Sequence, residues 1–415
     1  MKPQKDIHDY PLRYERAKQH VNEAKISERN RSLILEFEKA CTLEKLSLPR
    51  RIKLMGSLVI LAADYLKKDF DKATKEDVKN AVLKIEGRDD FSVWTRHSYK
   101  SILKKFYRWF TFGDSYKSRI EQPDIIAWLR VSVSGKEKPR VKAGDILTER
   151  EIEKLVEIAE HPRDKAFISM LYELGARIGE IGNLAIKDIS RDKHSFILDL
   201  SGKTGHRTPR IVTSDPYLAT WLNMHPLRSD PNASVWVMLG DRNKNEKMRY
   251  GAFRALLLRL KERAKIKKRV YPHLFRHTRV THLLINKQIN ESQAKVYFGW
   301  VPNSTMLSEY SHLVSKDVND AMLELHGIKT TETEKQEPKV KQCPRCQDLN
   351  PKDHLFCKKC GGVLDVKTAM DLDEKRGGFD DILAELTQEE DVQEALVKAL
   401  VKSGLGRKMM KLLKA

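Results

Sequence analysis

Gly299-Trp300-Val301-Pro302-Asn303-Ser304-Thr305-Met306-Leu307-Ser308-Glu309-Tyr310-Ser311-His312-Leu313 sets a tyrosine ten residues beyond a Gly-Trp pair. Two shorter clusters precede it, His273-Leu274-Phe275-Arg276-His277 and Ala176-Arg177-Ile178-Gly179-Glu180. Together they hold what a metal-free attack on a DNA phosphodiester requires. Two non-bridging oxygens gather charge in the transition state, so fixed bidentate donors are valuable there. Arginine suits that task because its planar fork stays charged at any relevant pH. A tyrosine nucleophile starts about three pKa units above neutral, so making the phenolate costs roughly 4 kcal/mol unless a base assists. A histidine can accept that proton, and a lysine or histidine can protonate the departing deoxyribose oxygen.

The chain's organisation is consistent with this chemistry. Residues 1–135 read as a helical bundle, clearest from Trp94 to Phe110, where Leu103, Phe106, Tyr107 and Phe110 recur at helical spacing. Arg96, Lys100, Lys104, Lys105 and Arg108 are interspersed, and Lys100, Lys104 and Lys105 are candidates for phosphate contact, against the plainer reading of a solvated basic face. Residues 132–146 have the polar, Gly- and Pro-broken composition of a linker. Thr148-Glu149-Arg150-Glu151 is a capping-box pattern opening a helix with Ile152, Leu155, Val156 and Ala159 on one face. A further helix is expected over Ala166 to Leu174. Strand-like runs, Phe196 to Leu200 and Arg210 to Thr213, flank Ser201-Gly202-Lys203-Thr204-Gly205-His206, which predicts a hairpin with Lys203 at its turn. Helices resume over Tyr250 to Lys265 and continue to about His326. The basic stretch Arg259, Lys261, Arg263, Lys265, Lys267, Lys268, Arg269 leads into His273, and Lys265, Lys267, Lys268 and Arg269 are expected to touch DNA backbone, contacts that position a duplex without reading its sequence.

The 415 residues suffice for two or three domains with their own cores. Lys and Arg number 78 against 58 Asp and Glu, a formal charge of +20, which suits a polyanionic partner through counterion release. The first residues have no apolar run behind them and Leu58 to Ala63 is too short to span a bilayer, so the expectation is a cytoplasmic, nucleoid-associated protein without a membrane partner. Five cysteines do not make a disulfide scaffold in a chain this long, and four are clustered. Cys343-Pro344-Arg345-Cys346 and Cys357-Lys358-Lys359-Cys360, ten residues apart, are two Cys-x-x-Cys knuckles with zinc-ribbon spacing. A closed four-thiolate Zn²⁺ site there would be structural and would supply most of the module's folding energy. Iron and redox disulfides are the rivals for these thiols. Cys41 reads as a core residue, and Tyr297, two residues before Gly299, as a buried tyrosine and not a second nucleophile. A polar stretch, residues 329–341, precedes the cysteines. Residues 378–415 read as a helical tail with Ile382, Leu383, Leu386, Val392, Leu396 and Leu400 on apolar faces.

Ala176-Arg177-x-Gly179-Glu180, Lys203 in a hairpin, His273-x-x-Arg276, Gly299-Trp300 and Tyr310-x-His312 resemble the motifs of the tyrosine recombinases (lambda-integrase type) in their usual order. The resemblance covers residues 145–328 and, more loosely, the N-terminal bundle. Gly-Trp-x-Pro-x-Ser-x-Met before Tyr310, with a zinc ribbon after it, looks like an archaeal, Xer-like branch. The resemblance implies a mainly α fold with a small antiparallel β-sheet. It implies a two-domain C-clamp of a helical core-binding (SAM-like) bundle and a DNA breaking-rejoining domain, followed by the ribbon (340–366) and the tail.

The same resemblance implies the residue roles. Arg177 and Arg276 clamp the scissile phosphate and Glu180 braces Arg177. Lys203 protonates the 5′ oxygen, His273 accepts the tyrosine's proton, and Tyr310 forms a 3′-phosphotyrosine ester that a second DNA end can resolve without metal or ATP. Trp300 stands where many relatives have histidine; its indole N–H donates but cannot accept a proton. His277 and His312 are expected to support these groups. Relatives commonly set the tyrosine nine residues beyond that position, against ten here, which the turn at Pro302-Asn303 would absorb. The implied function is site-specific recombination or integration on double-stranded DNA by a homodimer or tetramer. The rival readings are a type IB topoisomerase-like relaxing enzyme and a non-catalytic DNA-binding zinc-ribbon regulator.

Overall fold

A computed structural model describes residues 6–134, 137, 143–202, 205–285, 289–301, 303, 304, 306, 340–365, 368, 372 and 375. The described chain is mainly helical, with three small two-stranded antiparallel sheets. No described helix is long and apolar enough to cross a membrane.

The first helical unit comprises α1 (Tyr10–Glu23), α2 (Glu28–Leu43), α3 (Leu48–Ile60), α4 (Lys75–Glu86), α5 (Val93–Phe112) and the short α6 (Asp124–Ala127). Ser92 starts α5 by accepting from the Thr95 amide, which satisfies one of the orphan donors of a helix's first turn. Leu103, Phe106 and Tyr107 enter the core as expected, but Phe110 is 37% exposed. Trp109 packs instead against Phe37, ring centroids 5.1 Å apart, so the buried stripe turns toward α2. Cys41 is a core residue, 1% exposed, and burial pushes its thiol up to about 11. The Glu38 carboxylate ties three helices together, accepting from the Tyr14 hydroxyl at 2.5 Å and Arg51 Nε at 2.7 Å.

The second unit is built from α7 (Glu149–Ile158), α8 (Pro162–Leu174), α9 (Ile178–Gly182), β1 (Ile189–Arg191), β2 (Phe196–Leu198), β3 (Leu200–Gly202), β4 (Gly205–Arg207), α10 (Asp215–Met224), α11 (Tyr250–Arg263), α12 (Pro272–Ile285) and α13 (Glu291–Tyr297). The Thr148–Glu151 capping box forms in both directions. Helix α8 starts at Pro162, four residues ahead of the expected Ala166. It is buried on every side, so it has no amphipathic period to mark its start.

The strand pairing differs from the sequence expectation. β2 pairs with β1, in register Ile189↔Leu198 and Arg191↔Phe196, while Arg210 makes only an isolated bridge to Ile197. The hairpin around residues 203–204 exists, but its arms are β3 and β4, paired Leu200↔Arg207 and Gly202↔Gly205. Pro209 accounts for the difference: it has no N–H to continue a ladder, and its carbonyl accepts from Leu198.

Two chain segments tie modules to this unit. Ile7, at the head of the first helical unit, lies in the second unit's core at 2% exposure. Its amide donates to Asn183 Oδ1 at 3.0 Å, its carbonyl accepts from the Tyr250 amide at 3.0 Å, and Asn183 Nδ2 donates to Asp6 Oδ2 at 2.7 Å. Further along the chain, β5 (Val340–Gln342) and β6 (Leu349–Pro351) pair to form the cysteine module. That module packs on the second unit through a mixed-charge cluster. Arg191 Nη2 donates to Asp348 Oδ1 at 2.8 Å and to Asp215 Oδ2 at 3.2 Å, and Lys358 Nζ lies 3.7 Å from Asp348 Oδ2. Asp215 is fully buried. Two cations facing two anions keep the junction neutral, which buried charge requires.

Candidate active site and four-cysteine centre

Helix α8 ends at Gly175, whose φ of +49° is the left-handed turn glycine adopts without penalty. The site admits no other residue easily, because a Cβ there would lie 2.6 Å from Phe298 Cε1. This turn delivers Arg177 to the N-terminus of α9. There Glu180 Oε1 accepts from Arg177 Nη1 at 2.7 Å and Glu180 Oε2 from the Arg177 amide at 3.2 Å. The Arg177 side chain remains 31% exposed while Glu180 is buried. The carboxylate therefore fixes a guanidinium at the surface.

Arg276, on α12, is 2% exposed. Its Nη1 donates to the Gly175 carbonyl at 2.9 Å and its Nη2 to the Phe298 carbonyl at 2.7 Å. The guanidinium lies 5.4 Å from the ring centroids of both Phe298 and Trp300. Trp300, 8% exposed, thus forms a floor beneath the arginine, in a small core with Val280, Leu283, Ala294 and Phe298. Gly299 turns the chain between those two aromatics with φ +61°. Tyr297 is half-buried and its hydroxyl donates to the Glu173 carbonyl at 2.7 Å, in keeping with the structural role expected of it.

His273 precedes Arg276 by one turn and opens onto solvent. The protein crowding its ring, and then the positive charges of Arg276 and Arg177, push its pKa below 6.5. His277 stacks edge-on against it, centroids 4.6 Å apart, and burial followed by the His273 and Arg276 charges pushes it down to about 4. Both imidazoles are neutral at neutral pH, so His273 is in the form that accepts a proton. Above 6.5 this arrangement leaves stability untouched. Below 6.5 the unfolded chain takes up protons that the native histidines refuse, and stability falls as pH drops toward their lowered values. An NMR titration should find His273 below 6.5 in the DNA-free protein and higher in Arg276→Ala; a value unmoved by that substitution contradicts the coupling.

Arg207 was missed in the sequence, where it is one arginine among many. It is 12% exposed, donates from Nη2 to Glu180 Oε2 at 3.0 Å and from Nη1 to the Tyr297 carbonyl. Burial opposes ionisation of Glu180, yet Arg207 and Arg177 together hold its carboxyl below the usual range. Arg279 was also unflagged; its Nε donates to the Glu173 carbonyl at 3.0 Å and its guanidinium lies over the Tyr172 ring.

The structure thus brings together Arg177, Glu180, His273, Arg276, His277 and Trp300. Lys203, Tyr310 and His312 lie outside the described residues, as does the 378–415 tail. Among the basic residues singled out for DNA, Lys100 pairs with Glu86 at 2.5 Å, Lys105 with Glu44 at 3.1 Å, and Lys104 donates to the Leu129 carbonyl at 3.4 Å. Lys268 is held by Glu151 and the Ile146 carbonyl, both at 2.7 Å, whereas Lys265, Lys267 and Arg269 are exposed.

The four cysteines Cys343, Cys346, Cys357 and Cys360 gather their sulfurs within 4.8 Å of one another. The Cys343–Cys360 and Cys346–Cys357 sulfurs are 3.6 and 3.5 Å apart, far beyond the ~2.05 Å of a disulfide. A tetrahedron with metal–sulfur bonds of ~2.3 Å has edges of about 3.8 Å, so the donor set fits a metal ion. Asn350, fully buried, donates from Nδ2 to Cys357 Sγ at 3.6 Å and accepts from the Lys358 amide at 2.9 Å, the kind of outer support that orients a thiolate ligand.

Residues 145–316 match the phage integrase family. The tyrosine recombinase XerA of Pyrococcus horikoshii is 27% identical over 222 residues, 53% of this chain and 71% of the relative. The solved XerH site-specific recombinase is similar in fold, with a TM-score of 0.52 at 16% identity over 79% of this chain and 98% of its own. A lambda integrase structure follows at 0.50 and 16%, covering 67% and 76%. An arginine–glutamate pair, a buried second arginine and a neutral histidine lie inside the matched segment, and that segment, residues 145–316, is a tyrosine recombinase (phage integrase) catalytic domain.

Proposed function

We propose that this protein cleaves and rejoins double-stranded DNA at specific sites through a covalent 3′-phosphotyrosine on Tyr310, using neither metal nor ATP in the chemical step. The observation that carries this reading is that a buried Arg276 and a part-exposed Arg177 both act through their charge on a neutral His273. Each guanidinium is fixed in advance, one by Glu180 and one by the Gly175 and Phe298 carbonyls. Donors set in place before charge develops cost no reorganisation when it does. In the forward step the Tyr310 oxygen bonds to phosphorus as its proton passes to His273. The bond from phosphorus to the 5′ oxygen breaks, and that oxygen takes a proton from Lys203. The ester conserves the bond energy, so a 5′ hydroxyl from a second end reverses the step. Trp300 serves as the floor beneath Arg276.

The remaining assignments follow the same reading. The four thiolates hold Zn²⁺ as a closed structural site apart from the cleavage centre. The helical unit 1–135 and the catalytic unit 145–328 grip the duplex, with Lys265, Lys267 and Arg269 on its backbone. Protomers pair on DNA, supported by the solved XerH on its palindromic substrate and the lambda integrase tetramer on a Holliday junction.

Incubation with nicked suicide duplexes tests this. Wild-type protein should form a denaturant-resistant protein–DNA adduct and Tyr310→Phe none. An adduct that survives the substitution removes Tyr310 as the nucleophile. Equal cleavage of every sequence would favour a relaxing enzyme over a recombinase.

A further inference from the structure

We propose that Arg207 is a positioning residue that sets the two arginines of the phosphate clamp in register with each other. Its guanidinium bridges the Glu180 carboxylate, which holds Arg177, and the Tyr297 carbonyl, which adjoins the carbonyl that holds Arg276. The inference rests on the cleavage chemistry proposed above, since it takes Arg177 and Arg276 as that clamp.

Arg177 caps the start of α9 and Arg276 lies on α12, so the two head groups need a tie between elements. Two routes supply one. The first runs through the main chain: Arg276 Nη1 donates to the Gly175 carbonyl at 2.9 Å, two residues ahead of Arg177. That route places the Arg177 backbone but does not by itself select the side chain's rotamer. The second route runs from head group to head group. Arg276 Nη2 donates to the Phe298 carbonyl at 2.7 Å, and one peptide earlier the Tyr297 carbonyl accepts from Arg207 Nη1. Arg207 Nη2 donates to Glu180 Oε2 at 3.0 Å, and Glu180 Oε1 accepts from Arg177 Nη1 at 2.7 Å. Each link in this route is a flat, stiff group: a guanidinium, a peptide or a carboxylate. A relay of such planes carries position from one guanidinium to the other.

The surroundings of Arg207 suit it to this task. It lies on β4, paired across from Leu200, which is 1% exposed, so its backbone is anchored in the core. Its side chain is 12% exposed and that of Glu180 5%, which leaves little solvent to weaken the pair. On β3, a Cβ at Gly202 would lie 2.6 Å from Glu180 Oε1, so the hairpin closes over that carboxylate as tightly as glycine permits. The Tyr297 and Phe298 carbonyls come at the end of α13, where a helix runs out of its own donors, and two arginines supply them. Charge agrees with geometry. One carboxylate between two guanidiniums leaves a net positive charge, so Arg177 is held without being neutralised toward a phosphate. Lysine could not do the same, because its ammonium is one nitrogen and would have to draw both acceptors to a single point.

A double-substitution cycle tests this, read as the single-turnover rate of adduct formation on a nicked suicide duplex at saturating protein. Arg207→Met should slow the reaction about a hundredfold, the loss expected when a reacting group is displaced by about 1 Å. Arg177→Ala should slow it at least as much. Without Arg177 there is no register left to set. Arg207→Met added to Arg177→Ala should therefore cost less than about threefold more, whereas a residue that merely supports the fold would cost its full factor again. Arg207→Lys should remain at least about tenfold slow, because it restores the charge beside Glu180 without the span. Losses that multiply in the double variant would overturn the proposal, as would a wild-type rate in Arg207→Met or in Arg207→Lys. If the methionine variant does not fold, the lysine variant is carried through the same cycle. No adduct from wild type, or a full rate from Arg177→Ala, would sink the cleavage reading itself and this inference with it.

Discussion

Replacing Arg276 with lysine should cut the single-turnover rate of adduct formation by about a hundred- to a thousandfold, the loss that follows removal of one fixed oxyanion donor. The reason lies in what holds the side chain. Arg276 is almost completely buried, with one arm of its fork on the Gly175 carbonyl and the other on that of Phe298. An ammonium is a single point charge with three rotatable donors and cannot span those carbonyls while facing a phosphate bidentately. It also loses the flat contact with the Phe298 and Trp300 rings. DNA affinity should fall much less, because the duplex is held by many phosphate contacts. Thermal unfolding of the same variant reports any accompanying loss of stability. Cleavage within threefold of wild type would remove Arg276 from the phosphate clamp.

The second large effect is expected on metal removal. A four-thiolate site in so small a module contributes on the order of 10–16 kcal/mol of apparent binding energy, more than the stability of most domains. Chelation under reducing conditions should therefore abolish hydrogen-exchange protection across residues 340–365. It should also weaken protection in residues 189–198 and around Asp215, because Asp348 and Lys358 complete the charge cluster around Arg191 and the buried Asp215. Cys346→Ser should reproduce the result without chelator. Unchanged exchange in protein shown by elemental analysis to be metal-free would mean the module folds on its own contacts.

Where the sequence was informative, one local cause was enough. The α5 stripe and the Thr148–Glu151 box are read within a single helix, and the four cysteines within a single module. Arg177 with Glu180 was legible because both sit on one helical turn. What was not legible needed partners far along the chain. Phe110 faces outward because Trp109 finds Phe37, more than seventy residues upstream. Strand β2 pairs backward with β1, which shows no alternation in its three residues. Arg207 acquires its meaning only from Glu180 and Tyr297, 27 and 90 positions away. Lys100 and Lys105 lie in a basic run, yet their ammonium groups meet Glu86 and Glu44, partners that no periodicity reveals.

The seating of Ile7 makes the polypeptide a closed circuit: the first helical unit is joined to the catalytic one at both of its ends, covalently on one side and, on the other, by one apolar side chain with the hydrogen bonds around it. Unseating the isoleucine side chain costs about 1.5–3 kcal/mol, and the bonds to Asn183 and from Tyr250 must break with it. A latch of that strength keeps the two units registered in solution, yet it can be released by the binding energy of one well-made encounter with a duplex.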